Sequence, residues 1–173
     1  MPTTFTKIAS VTVGSGGTSS IAFSSIPSTY TDLCVSVSVR TSAGGTIDNI
    51  YIGFNSSSTG YTLRWLGVAA TSPVSYTEAA FGSTKIHFGY MPGSTATSNT
   101  FGSANVYIPN YAGSVNKSVT ADAVNEGNIT DSYMGMTAGL WSNTSAITSI
   151  QLTTSSGTIA QYSTATLYGI KNS

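Results

Sequence analysis

The side chains able to do chemistry are few and scattered. Nucleophilic catalysis by serine needs a base, and the chain has one histidine, His87, next but one to Lys85 in the alternating run STKIHFGY (83–90). No G-x-S-x-G turn presents a serine, so His87 is expected to be a solvated or interface side chain. The one cysteine, Cys34, lies on the serine-lined side of LCVSVSVR (33–40). Nothing in that run supplies the helix N-terminus or neighbouring base that activates a thiol, and Cys34 reads as a half-buried filler. A lone cysteine also excludes an intrachain disulfide and a cysteine metal cluster.

Acidic residues gather once, at Asp122, Glu126 and Asp131, with Asn125 and Asn128 between them. Oxygens converging on one loop can bind calcium, and two facing carboxylates can cleave a glycoside. The spacing D-x3-E-x4-D matches no calcium loop, so 122–131 is expected to be a polar loop, with no metal and no cofactor. The reading is of a protein that is not an enzyme.

Aromatic residues are the richer signal. Trp65 stands between Arg64 and Leu66 and shares a strand face with Tyr61, and Trp141 shares one with Tyr133. Such rings stack on sugars, or they are buried in a core or subunit interface. Core or interface is the expected place, and Tyr61, Trp65 and Trp141 are the candidate interface anchors.

Short alternating runs position these residues. In 33–40, Leu33, Val35, Val37 and Val39 face one way and Cys34, Ser36, Ser38 and Arg40 the other. Similar runs occupy 5–13, 20–26, 47–55, 61–68, 83–90, 101–109, 115–124, 133–141, 147–153 and 165–170. Ten to eleven short strands at this spacing predict an all-β fold, a single antiparallel β-sandwich of jelly-roll type spanning 1–173. Val35, Val37, Ile86, Phe88, Met136 and Leu140 are the expected core. Segment 69–82 reads as irregular or helical, 27–32 as a single turn, and the polar loop 91–100 as a projection.

Composition restricts the partners. Six basic and six acidic residues cancel, and charged residues are 7% of the chain, against about 25% in an ordinary soluble domain. No electrostatic footprint for nucleic acid or anionic lipid results. Apolar runs fall far short of the roughly 20 residues of a membrane span, and the N-terminal run does not read as a secretion signal. Serine and threonine, 29 and 27 residues, take the place of charge. Such a surface repels its own copies weakly and suits a protein packed against neighbours.

Three stretches, FSSIPSTYTDLCVSVSVR (23–40), VYIPNYAGSVNKSVTADAVN (106–125) and SNTSAITSIQL with AQYSTATLYGIKNS (142–173), resemble small β-rich virion structural proteins of tailed bacteriophages. These are capsid decoration (cement) proteins or tail and fibre components. The resemblance implies a non-enzymatic virion protein, assembled in the host cytoplasm, that binds the major capsid protein on the outer capsid surface. The alternative it leaves open is a tail-fibre or baseplate module that binds a receptor carbohydrate. The expected assembly is a homotrimer, which would meet a capsid at its three-fold positions.

Overall fold

The computed structural model describes residues 4–69, 72–77, 84–127 and 132–171, and among them there is no helix. The strands are β1 (Phe5–Thr12), β2 (Ser20–Phe23), β3 (Asp32–Val39), β4 (Ile47–Phe54), β5 (Tyr61–Ala69) and β6 (Ser72–Thr77). They continue as β7 (Ile86–Pro92), β8 (Gly102–Ile108), β9 (Lys117–Asn125), β10 (Tyr133–Trp141), β11 (Ile150–Thr154) and β12 (Thr164–Ile170). One sheet has the order β1-β12-β3-β8-β9-β10-β5-β6 and the other β2-β11-β4-β7. Every pairing is antiparallel.

Eight of these strands make a jelly roll. The large sheet takes β1, β12, β3 and β8, and the small sheet takes β2, β11, β4 and β7. The chain crosses between sheets from β1 to β2, β2 to β3, β3 to β4, β7 to β8 and β11 to β12, the winding of two interlocked Greek keys. The hairpins β5–β6 and β9–β10 are insertions in that winding. Both extend the large sheet beyond β8, so it is twice as wide as its partner.

Eleven of the twelve strands fall where alternation places them. The twelfth, β6, lies in the segment expected to be irregular or helical. It pairs with β5 at the sheet edge, with Pro73 opposite Val68. An edge strand tolerates a proline, because a missing N–H there breaks no ladder.

The inner faces build one core. Leu33, Val35, Val37 and Val39 of β3 are buried as their period-2 pattern requires, with Ala104, Val106 and Ile108 of β8 and Val119, Ala121 and Ala123 of β9 beside them. Ile21, Phe23, Ile50, Ile52, Phe54, Ile86, Phe88, Ile150 and Leu152 answer from the small sheet.

β10 corrects the sequence reading. Met136, expected in the core, is 67% exposed, and Leu140 is only partly buried. The inner face carries Gly135, Thr137, Gly139 and Trp141 instead. A Cβ on Gly135 would lie 2.3 Å from the Trp65 ring, and one on Gly139 would lie 2.9 Å from Ile86. Gly135 pairs with Gly67 of β5, and a Cβ there would also meet the same indole at 2.4 Å. Trp65 thus covers a glycine pair, and its volume leaves room inside for nothing larger. Hydrophobicity alone would point the methionines inward, but close packing points them out.

Candidate interaction face

Among the described residues, those singled out for chemistry lie apart from one another. His87 is fully buried, not solvated. Its ring lies 4.9 Å from that of Tyr90 and 5.7 Å from that of Tyr51, and burial lowers its pKa to about 4. Cys34 is half-buried on the outer side of β3, and burial, then the charge of Asp122, pushes its thiol up, away from reactivity. Asp122 and Glu126 are both exposed, Asp122 on the outer side of β9, while Asp131 lies outside the described residues. Among the described residues no three His, Cys, Asp or Glu side chains converge as metal ligands.

The three proposed anchors are interior. Tyr61, Trp65 and Trp141 are at most 2% exposed, so the folded chain presents none of them to a partner. Tyr61 and Trp141 stack at 6.1 Å with an interplanar angle of 16°, and Phe54 packs 5.6 Å from Trp141. The Tyr61 hydroxyl accepts from the Phe54 N–H at 2.8 Å and donates to its carbonyl at 3.2 Å. Trp65 meets Tyr90 edge-on at 5.9 Å.

The loop 91–100, expected to project, is pulled back onto the body. The Arg40 guanidinium donates to the carbonyls of Ser94 (3.3 Å), Ala96 (2.9 Å), Thr97 (2.8 Å) and Thr100 (3.0 Å). One planar cation satisfies four acceptors and freezes the loop. At the opposite turn Lys117 is buried, and its ammonium donates to the carbonyls of Gly113 (2.7 Å), Val115 and Asn143. Two of the six basic residues thus hold loops together and leave even less charge for the surface.

What the fold does expose is the outer face of β9-β10-β5. Strand register places Val124, Met134 and Val68 in one row, Asp122, Met136 and Leu66 in the next, and Thr120, Ala138 and Arg64 in the third. Leu66 is 61% exposed and Met134 57%. With Met136, Val124 and Val68 they form a contiguous apolar patch, hollowed into a groove of about 760 Å³ between Arg64, Leu66, Ser75, Thr120 and Met136. Contiguous exposed apolar surface marks a binding site, and methionine adapts to an irregular partner.

Sequence reasoning missed this face because it took Met136 and Leu140, on the same side of β10, for core. The available signal was the G-x-T-x-G run on the opposite side of β10, at Gly135, Thr137 and Gly139. Two glycines on one side of a strand mark a place where something bulky lies over the backbone. No protein-family model matches the chain, and no curated protein matches it.

Proposed function

We propose that this chain is a non-enzymatic structural protein of a tailed-phage particle, a decoration protein that sits on the outer capsid surface and stabilises the shell. The exposed apolar face of β9-β10-β5 carries this reading. A chain with 7% charged residues gains little solubility from charge, and an open row of Met, Leu and Val on a rigid sheet needs a macromolecular neighbour. The resemblance of 23–40, 106–125 and 142–173 to virion proteins supplies the kind of particle, and jelly rolls recur among viral capsid domains. The tail-module alternative, which the same resemblance leaves open, loses its candidate sugar-stacking rings, because Tyr61, Trp65 and Trp141 are buried in the core.

The test compares particles with and without the protein under heating and osmotic shock. Particles lacking it should release DNA at lower temperature, and adding the purified protein back should restore them. Equal resistance of both particles would sink the decoration role.

A further inference from the structure

We infer that the apolar face of β9-β10-β5 is a self-docking surface, occupied by the same face of a second copy related by a two-fold axis. The inference deepens the reading of this face as an assembly surface by naming its occupant.

The charges on the face point to a second copy. Arg64 and Asp122 flank the apolar row on opposite sides, one strand to either side of β10 and one row apart. At about 4.8 Å per strand and 6.8 Å per row they stand about 12 Å apart. Neither makes a hydrogen bond or ion pair with a described residue. Among the described residues the face therefore carries one charge of each sign, without a partner, around an apolar centre, and such a pattern complements itself.

The midpoint between the two charges falls on β10 between Met136 and Ala138. A two-fold axis lying in the face and crossing β10 there carries Arg64 of one copy onto Asp122 of the other, and Asp122 onto Arg64. The same rotation sets Met136 against Leu66 in both directions. A two-fold contact is isologous, so one pairing rule satisfies both charges at once. A ring of three needs two different complementary patches, and this face has its complement within itself.

Size sets the strength. The outer face of the three strands β9, β10 and β5 covers on the order of 350 Å² per copy, so a pair buries on the order of 700 Å². That is the size of a weak, transient contact, below the roughly 1,000 Å² of a stable interface. The pair is a reversible one, with a dissociation constant in the micromolar range, which local crowding on a particle would drive to completion.

The experiment is sedimentation velocity on the purified chain across a concentration series up to roughly 100 µM. The expected result is a monomer–dimer equilibrium. Met136→Asp should shift it to monomer without loss of thermal stability, since Met136 faces solvent in the single chain. Leu66→Thr, a milder change at the neighbouring position, should weaken the dimer in the same direction. Arg64→Asp and Asp122→Arg should each weaken it about tenfold or more by setting like charges face to face. The double variant Arg64→Asp with Asp122→Arg should recover the dimer, because the swapped charges again meet their opposites. A monomer throughout the series, a trimer, a dimer indifferent to Met136→Asp, or a double variant no better than the single ones would overturn the inference. Because this test uses the chain alone, its failure leaves the particle experiment to decide the decoration role.

Discussion

The large sheet has two halves that share an interior and differ outside. In β1-β12-β3-β8 the outward side chains include Ser10, Thr166, Tyr168, Cys34, Ser36, Ser38, Ser103, Asn105 and Tyr107. In β9-β10-β5 they include Val124, Met134, Met136, Leu66 and Val68. The hydroxyl half satisfies itself. Ser10 and Thr166 share a hydrogen bond at 3.0 Å across β1 and β12. The Tyr107 hydroxyl donates to Asp32 at 2.6 Å, which raises the tyrosine pKa to about 12. The outer face of the inserted half offers apolar atoms to solvent. The jelly-roll winding needs only the first half and the small sheet. The strands added beyond it carry the exposed apolar face, so the insertions, rather than the core fold, supply the surface proposed to bind.

The largest expected effect tests the shared interior. Val37→Asp in the hydroxyl half and Val119→Asp in the inserted half each place an unpaired charge at a position no more than 3% exposed. Each should cost more than about 4 kcal/mol and abolish soluble expression. If one half tolerates its aspartate, measured by soluble yield and circular dichroism, the two halves do not share a core.

Acid should then separate the halves. His87 lies on β7, whose Ile86 packs over Gly139 of β10 and whose Gly89 packs against Ala123 of β9. The folded imidazole has a pKa of about 4, below the roughly 6.5 of the unfolded chain. Between those values the unfolded state holds the extra proton, so stability falls as pH drops from about 6.5 and levels off below about 4. The loss should reach about 3 kcal/mol in total, read by urea denaturation at a series of pH values. Burial raises the Asp48 carboxyl pKa. That effect has the opposite sign and acts at the acidic end, so the histidine slope is cleanest between pH 5 and pH 7. His87→Phe should flatten it. In hydrogen exchange, amides of β9 and β10 should lose protection before those of β3 and β12. Uniform loss would show that β7 does not act locally.

A smaller effect tests why β10 is reversed. Gly135→Ala pushes a methyl into the Trp65 indole and should cost about 2 kcal/mol. In the double variant with Trp65→Leu, that added cost should shrink. A full cost in both backgrounds would mean that the indole is not what sets the face of β10.

The smallest effects fall on the outer faces. Ser36→Asp and Met136→Asp should each change the stability of the single chain little, by about 0.5 kcal/mol or less. They should diverge in association alone, where Ser36→Asp has no effect. Chelators should leave the melting temperature nearly unchanged, and a drop of many degrees on adding EDTA would revive a metal at Asp122 and Glu126.

The strands themselves were legible in the sequence wherever one face is apolar and the other polar. In β3, valine alternates with serine, and burial follows the alternation residue by residue. β6 was not legible, because SPVSYT carries a proline and little apolar contrast, and its strand state comes from pairing with β5. The interaction face was not legible either. Alternation in β10 reads Met, Met, Ala and Leu against Tyr, Gly, Thr, Gly and Trp, and the more hydrophobic row is the natural choice for the core.

By itself, then, the sequence determined the all-β class and the period-2 faces of most strands, because these follow from local side-chain chemistry and spacing. The tertiary structure decided the order of strands across two sheets, the burial of His87, Tyr61, Trp65 and Trp141, and the outward turn of Met134 and Met136. The physical reason is volume. Which face of a strand turns inward depends on what the neighbouring strands and the opposite sheet have already placed there, and Trp65 over Gly135 is a contact between residues 70 positions apart that no local pattern contains.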